Sequence, residues 1–329
     1  MPQPATPLDA TTPPATTPPA TTPLDATTPP ATIPPATTPL DDAALAASLD
    51  GGFTSHHAEV NGTRLHYVEG GSGTPLVLLG GWPQTWWQWH KVLPALARRY
   101  RVIAVDLRGM GGSAKPAAGY DKKTMAADVH ALLGHLSIGS AHFAGHDIGA
   151  MVAYAHAANH PDATRRLALL DVSHPEEAWA QMPLLPRPGL RHLWWFAFNQ
   201  VPGLPEQLLA GRYRVLLDWL FAAMTADPAS IDERSRAVYA RAYDSPDAIR
   251  AGNAWYQAFR QDIDDLAGYS PVTTPLLALG GEHSNYERLL AAVPALGTDT
   301  RVVRVDGSGH YLPEERPEVV TDELTRFFG

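Results

Sequence analysis

The pentapeptide Gly145-His146-Asp147-Ile148-Gly149 constrains the fold of this chain more than any other stretch. It follows the apolar run 141–144 and precedes the alanine-rich run 150–159, so it predicts a strand, a sharp turn and a helix. Glycine two places to either side of the centre indicates a turn in which a side chain at those places would clash. The central residue is then strained, and a carboxylate held there can act as a nucleophile. The alternative is an aspartate that only caps the helix.

Patterns of strand and helix alternate on both sides of this turn. Asn61-Gly62, between two alternating runs, predicts a hairpin. Apolar runs predict buried strands, and longer runs predict helices: strands at 75–79, 101–106, 167–171, 275–279 and 301–305, and helices at 86–97, 124–136 and 317–328. Such alternation is typical of an α/β protein with a mostly parallel sheet covered on both faces.

Two segments depart from this alternation and divide the chain. Residues 1–45 repeat Pro, Ala and Thr, so we predict a disordered tail that has few large apolar groups to bury. Residues 178–265 are predicted to be helical throughout and to form an inserted cap. The two parts of the α/β core are then 46–177 and 266–329.

Composition argues against several classes of protein. The chain has no cysteine, so disulfides and thiolate metal sites are excluded and a cytoplasmic setting is expected. Its net charge of −9 and the lack of a basic stripe argue against nucleic-acid binding. No apolar run is long enough for a membrane span, and no Lys or Arg precedes Arg64, so neither an anchor nor a secretory signal is expected. No cofactor is expected and no metal site either, since His156 and His160 have helical spacing but no accompanying carboxylate motif.

Polar residues follow the predicted strands at the edge where ligands bind in open parallel sheets. They are the turn 80–83 (Gly-Gly-Trp-Pro), Asp106, Asp147, Asp171, Glu282 and His310. A nucleophile, an acid and a histidine occur here in the chain order typical of one large class of hydrolases.

Four segments together resemble the epoxide hydrolase branch of the α/β-hydrolase family: 145–149, 80–83, 106–113 and Gly-His-Tyr-Leu-Pro-Glu-Glu at 309–315. The likeness covers about residue 55 to the C-terminus. Within the branch, Trp194-Trp195 and parts of 240–256 are similar to a bacterial subgroup near haloacetate dehalogenases and polyketide-pathway epoxide hydrolases. The resemblance implies a mostly parallel, eight-stranded sheet flanked by helices, an all-helical cap and a small-molecule epoxide as substrate. A homodimer stays open.

The resemblance also implies roles for residues of the core and the cap. Asp147 would attack an epoxide carbon, and the departing oxygen would take a proton from Tyr256. Trp195 would polarise the same oxygen through its indole N–H, and Trp194 could share that role. His310 would then activate water to attack the ester.

The remaining catalytic positions follow from the same likeness. The backbone N–H groups of Trp82 and Ile148 are expected to stabilise the oxyanion. Asp171, in a Leu-Asp-x-x-Pro-like setting, is the favoured partner of His310, with Glu282 as the alternative. One departure concerns the early turn, where Gly80 stands in the place of the histidine that most family members carry.

Two other functions compete with epoxide opening. A haloalkane or haloacid dehalogenase would use the same nucleophile, acid and base, but fluoroacetate-cleaving relatives need arginines where this chain has Ile148 and Met151. A non-catalytic binding protein on the same fold is the second alternative. The tryptophan-rich pocket, with Trp82, Trp194 and Trp195 beside these two apolar residues, favours a neutral, bulky or aromatic epoxide.

Overall fold

The computed structural model describes residues 40–182 and 193–329. The described strands form one eight-stranded sheet in the order β1-β2-β4-β3-β5-β6-β7-β8. They are β1 (Thr54–Val60), β2 (Thr63–Gly71), β3 (Thr74–Leu79), β4 (Tyr100–Asp106), β5 (Ala141–His146), β6 (Thr164–Leu170), β7 (Leu276–Gly281) and β8 (Thr300–Val305). The predicted fold class, a mostly parallel sheet flanked by helices, is confirmed.

The sheet begins as an antiparallel hairpin and continues as a parallel sheet. β1 pairs with β2 across Asn61 and Gly62, whose φ angles of 46° and 72° suit the tight turn that the sequence predicted. β2 pairs antiparallel with β4, and every later pairing from β3 to β8 is parallel. The central strand β5 is buried along its whole length, as expected of a strand covered on both faces. The parallel strands therefore end at one common edge.

Helices cover the sheet and fill the long connection between β6 and β7. They are α1 (Asp42–Ala47), α2 (Leu93–Leu96), α3 (Lys122–His135), α4 (Ile148–Asn159), α5 (Trp194–Phe198), α6 (Leu204–Leu209), α7 (Tyr213–Met224), α8 (Glu233–Tyr243), α9 (Pro246–Gln257), α10 (Phe259–Leu266), α11 (Tyr286–Leu296), α12 (Leu312–Glu315) and α13 (Pro317–Phe328). The helices α5 to α10 fall within the predicted cap segment. None of the helices in the described residues is long and apolar enough to cross a membrane.

The single helix predicted over 86–97 is wrong. The structure has a short 3₁₀ turn at Trp86–Trp89 and then the separate helix α2. Pro94 explains the break, because it has no backbone N–H to donate to the carbonyl of His90, four residues earlier. The tryptophan side chains of the turn pack into the core as a result.

The predicted boundary of the tail, at residue 45, lies too far along the chain. Helix α1 starts at Asp42, Asp41 caps it by accepting a hydrogen bond from Ala44, and Leu45 is fully buried. The packed part of the chain therefore starts several residues earlier than predicted. The rest of the predicted tail, 1–39, and the cap residues 183–192 lie outside the described residues.

Candidate active site

The turn between β5 and α4 has the strained geometry that its glycines require. Asp147 has φ 53° and ψ −121°, an unfavourable backbone conformation for a residue with a side chain. A Cβ on Gly145 would lie 2.2 Å from the carbonyl oxygen of Gly149, and one on Gly149 would lie 2.2 Å from that of Leu79. Glycine at both places lets the turn pack against β3 and hold Asp147 at the edge of the sheet.

The carboxylate of Asp147 lies among hydrogen-bond donors. The backbone N–H of Trp82 donates to its Oδ1 at 2.9 Å, and the backbone N–H of Ile148, the next residue, lowers the pKa of the carboxyl. Burial raises the pKa of Asp147, but the hydrogen bond and charge of His310 outweigh burial and hold it below the usual value. The group is therefore ionised at neutral pH, as a nucleophile must be. The same two N–H groups can stabilise an oxyanion when the carboxylate becomes an ester.

His310 lies between two carboxylates. Its Nδ1 is 2.7 Å from Oδ2 of Asp171, and its Nε2 is 3.6 Å from Oδ2 of Asp147. Burial lowers the pKa of His310, but its hydrogen bonds to Asp147 and Asp171 and their charges raise the pKa to about 9. The imidazole is thus oriented by one carboxylate and turned toward the other.

Asp171 lies against His310, whereas Glu282 binds a different loop residue. Asp171 Oδ1 accepts a hydrogen bond from the N–H of Gly281 at 2.9 Å, and its Oδ2 accepts one from the hydroxyl of Ser284 at 2.6 Å. The carboxylate of Glu282 instead accepts from the N–H of Gly307 at 2.8 Å. Of the two candidates from the sequence, Asp171 is the one that contacts His310.

Sequence reasoning missed the residues that hold Asp171 in place. Asn285 donates to its carboxylate from the backbone N–H at 3.3 Å and from the side-chain amide at 3.2 Å, in addition to the bond from Ser284. A signal was available, because Ser284 and Asn285 follow directly after β7 at the edge where the other site residues lie. These donors keep the carboxylate solvated by protein groups while it orients His310.

His146, inside the pentapeptide, contacts His310, and sequence reasoning missed this contact. Its Nε2 lies 2.8 Å from the carbonyl oxygen of His310, and the two rings are 4.7 Å apart. Burial, with the charge of His310, lowers the pKa of His146 to about 4. The neutral ring therefore donates its Nε2 proton to that carbonyl and fixes the backbone of the base.

The loop that carries His310 is tied to the end of cap helix α7. The backbone N–H of His310 donates to the carbonyl of Met224 at 2.8 Å. The carboxylate of Glu315 accepts from the N–H of Gly309 at 2.8 Å and from that of Ala226 at 2.7 Å. One buried carboxylate thus joins the loop that carries His310 to the residues that follow α7.

Tyr256 packs against the residue whose backbone N–H donates to Asp147. The ring of Tyr256 lies edge-on to Trp82 with centroids 5.3 Å apart, and Trp82 itself donates to Asp147. Burial, followed by the charge of Asp147, raises the pKa of Tyr256 well above its ordinary value, and hydrogen bonding with Trp195 acts in the opposite direction. The phenol is protonated at neutral pH and can donate to an oxygen beside the nucleophile.

The other predicted pocket residues are placed unequally. Ile148 and Met151 are buried on α4, in line with an apolar wall beside Asp147. Trp195 is buried, whereas the neighbouring Trp194 is half-buried and packs against Trp219 with centroids 5.3 Å apart. Trp195 also contacts Trp219, with centroids 6.2 Å apart, so the two tryptophans share one aromatic cluster and differ in how deeply they are buried.

A buried ion pair fastens the cap beneath Tyr256. The ammonium of Lys122, at the start of α3, lies 2.7 Å from the carboxylate of Asp262 on α10 and donates to the carbonyl of Trp255 at 2.7 Å. The indole of Trp255 donates to the carbonyl of Arg108 at 2.9 Å. Both Lys122 and Asp262 are fully buried, so the residue before Tyr256 is held to the core by its backbone and by its side chain.

One cluster among the described residues has the composition of a metal site. Atoms of Asp42, His66 and Asp106 all lie within 4.8 Å of one another. These groups already bind protein partners: His66 Nδ1 is 2.8 Å from Asp106, and Trp86 donates to both carboxylates at 2.7 and 2.8 Å. We therefore interpret the cluster as a hydrogen-bond network that attaches α1 to the core.

The chain is similar to known hydrolases in both sequence and fold. The alpha/beta hydrolase fold family matches residues 74–317. The chain is 36% identical to a soluble epoxide hydrolase of Corynebacterium sp. (strain C12), over 84% of this chain and 97% of that protein. It is 30% identical to a fluoroacetate dehalogenase of Burkholderia sp., over 84% of this chain and 94% of that protein. The solved structure of the epoxide hydrolase CorEH without ligand matches with a TM-score of 0.77 and 37% identity, over 84% and 98% of the two chains.

The fold and these matches define an enzyme of the α/β-hydrolase family, and the chain belongs to that family. Within it, the chain belongs to the epoxide hydrolase branch that its motifs resemble.

Proposed function

We propose that this enzyme opens a neutral, bulky or aromatic epoxide to a vicinal diol through an ester on Asp147. The proposal depends most on one observation: a buried, protonated Tyr256 packs against Trp82, whose backbone N–H donates to an ionised Asp147. Opening an epoxide requires this pair, because a carbon must be attacked while the ring oxygen is protonated. The similarity to epoxide hydrolases supports the same reaction.

In the first step, a carboxylate oxygen of Asp147 forms a bond to one ring carbon and the carbon–oxygen bond of the epoxide breaks. The electron pair of that bond stays on the departing oxygen, which takes the phenolic proton of Tyr256. Trp195 supports the step by hydrogen bonding near the same hydroxyl. The product is a hydroxyalkyl ester and a tyrosinate.

In the second step, His310 removes a proton from water as the water oxygen attacks the carbonyl carbon of the ester. The N–H groups of Trp82 and Ile148 stabilise the negative oxygen that forms. Collapse breaks the ester carbon–oxygen bond, and the departing diol oxygen takes the proton from His310. The second proton of the water leaves the new Asp147 carboxyl and converts the tyrosinate back to Tyr256. Asp171 holds the imidazole with Nε2 directed at the ester, since its carboxylate binds Nδ1.

The apolar wall supports a neutral substrate. Ile148 and Met151 are buried beside the nucleophile, where an anionic substrate would need a cation. Lys122 is a buried cation whose charge interacts with that of Asp147, and its ammonium is already bound to Asp262 and Trp255. Lys122 therefore offers no free charge to a carboxylate substrate.

Dehalogenation is the second candidate, because the fluoroacetate dehalogenase relative supports the same first attack. A halide leaving group needs no proton from Tyr256. Tyr256→Phe should therefore abolish epoxide opening while sparing any release of halide from a neutral haloalkane. A wild-type enzyme that releases halide but turns over no epoxide would overturn our first choice.

Single turnover in heavy-oxygen water tests the two-step route. With enzyme in excess over a styrene oxide, we expect heavy oxygen in the carboxylate of Asp147, detected by peptide mass spectrometry, and little in the diol. His310→Gln should accumulate the alkylated peptide. Direct attack by water would instead label the diol in the first turnover and leave Asp147 unlabelled, which would refute the ester.

A further inference from the structure

Two buried asparagine side chains near Tyr256 carry polar atoms that have no hydrogen-bond partner in the described part of the chain. Asn199 is 1% exposed and Asn253 is 2% exposed. Among the described residues, Oδ1 and Nδ2 of Asn199 and Nδ2 of Asn253 have no hydrogen-bond partner. Buried side-chain amides are nearly always hydrogen-bonded in folded proteins, so three unpaired groups beside a site indicate a ligand that supplies their bonds.

Asn199 lies on the face of α5 that meets the cap tyrosine. It continues the helical backbone, with its N–H donating to the carbonyl of Trp195 at 2.8 Å. At about 100° per residue, it lies about 40° from Trp195 and about 60° from Phe196, between the two. Trp195 lowers the pKa of Tyr256, and the ring of Phe196 lies 5.3 Å from the ring of Tyr256. The amide of Asn199 is therefore directed to the same side of α5 as the two residues that contact Tyr256.

Asn253 lies on the matching face of α9. Around the helix it falls between Tyr256 and Gln257, about 60° from the first and about 40° from the second. Gln257 reaches across and donates to the backbone carbonyl of Asn199 at 3.3 Å. On the other side, Gly252 packs against Trp82, since a Cβ there would lie 3.3 Å from Trp82 Cδ1. Asn253 is thus within one helical turn of Tyr256, on the side that faces α5.

We propose that Asn199 and Asn253 form a polar subsite that binds a neutral hydrogen-bonding oxygen of the substrate, a hydroxyl or carbonyl, about one helical turn (~5 Å) from the epoxide. The inference rests on the proposed function and specifies its substrate class. The two amides supply donors and an acceptor but no charge, so they match a neutral polar group. The substrate is an aromatic epoxide that carries such a group on the aromatic part.

A pair of matched substrates tests the subsite. A styrene oxide with a meta-hydroxymethyl group and one with a meta-ethyl group have nearly the same shape, and one of them carries the oxygen. We expect wild-type enzyme to prefer the hydroxymethyl compound. Asn199→Leu and Asn253→Leu should each lower kcat/KM for it by on the order of 10- to 100-fold, and should leave the ethyl compound unchanged or faster.

Asn159→Leu is the matched control. Asn159 lies at the end of α4 and its amide donates to the carbonyl of Ala155 at 2.8 Å, so its loss should leave the ratio of the two substrates unchanged. An equal fall for both substrates in the two cap variants would assign the amides a structural role and overturn the subsite. An unchanged ratio in both variants would overturn it as well. A wild type that turns over neither compound would refute the proposed function itself, whereas turnover of both without discrimination would refute the subsite alone.

Discussion

The charge on Asp147 should control the basicity of His310. In the free enzyme, His310 lies between two carboxylates and its pKa is raised to about 9, so it is protonated at neutral pH and cannot accept a proton from water. Forming the ester removes the charge of Asp147. The pKa of His310 should then fall, so that the base becomes active only after the nucleophile has reacted.

The size of the effect follows from the distance between the two groups. Two unit charges 3.6 Å apart, the separation of His310 Nε2 and Asp147 Oδ2, attract by about 4 to 5 kcal/mol at an effective dielectric constant of about 20. At about 1.4 kcal/mol per pKa unit, this energy limits the change in the pKa of His310 to roughly 3. Removing one neighbouring charge commonly changes a pKa by about 1 to 3, so the pKa of His310 should fall from about 9 to roughly 6 to 8.

Asp147→Asn imitates the uncharged ester at nearly constant shape. The assay is an NMR titration of ring-labelled histidine in the wild type and in Asp147→Asn, with His310→Gln to assign the signal. Intact mass should be checked to show that the amide has not reverted to the acid. In the wild type, the rate of ester hydrolysis in single turnover should rise with pH around this lower pKa, below the value measured for the free enzyme.

The same pKa in Asp147→Asn and in the wild type would refute the reasoning. It would mean that Asp171 alone raises the pKa of His310, and that the base is charged in both steps. If the pKa of His310 fell in Asp171→Asn but not in Asp147→Asn, this would also show that Asp171 alone raises it.

Three further predictions concern folding and the attachment of the cap. Gly149→Ala should abolish soluble, folded enzyme or destabilise it by several kcal/mol, since its Cβ would lie 2.2 Å from the carbonyl of Leu79; thermal unfolding measures this. His156 is buried and neutral with its pKa lowered to about 3, mainly by burial, so only the unfolded chain takes up its proton below about pH 6.5. Acid should therefore destabilise the fold, and the non-titrating His156→Asn should remove about 2 kcal/mol of the difference in urea stability between about pH 7.5 and 5. Lys122→Met leaves Asp262 as an unpaired buried charge and should lower stability by about 3 to 5 kcal/mol, whereas pairing it with Asp262→Leu should restore much of the loss, as measured by urea unfolding.

Much of the core could be predicted from the sequence because its strands are continuous apolar runs and its turns carry diagnostic glycines. The hairpin at Asn61-Gly62, the pentapeptide turn and helix α13 all lie where local pattern alone predicts them. The helix over 86–97 failed for a local reason too. Pro94 forbids continuation, and its effect outweighed the helical spacing around it.

The less predictable features depend on which groups meet in space. Asp171 and Glu282 both follow parallel strands, and only the fold shows that His310 reaches the first and that the second binds the Gly307 N–H. Two adjacent tryptophans that both contact Trp219 differ in burial, since Trp195 is buried and Trp194 is half-buried. The unpaired amide of Asn199 leaves no trace in composition or spacing, because hydrogen-bond satisfaction is a property of the packed chain.

The hydrogen bonds of Glu315 cross the boundary between the cap and the core, and this constrains how the cap can change in evolution. Because the Glu315 carboxylate binds both Gly309 and Ala226, the loop that carries His310 and the residues after α7 share one set of hydrogen bonds. If the whole cap were exchanged between relatives, new residues would replace those that bind Glu315, and the position of His310 would change. Recombination that changes substrate choice should therefore succeed when its crossovers keep residues 224–226 together with the loop that carries His310. The remaining cap helices can then be exchanged between relatives as one unit.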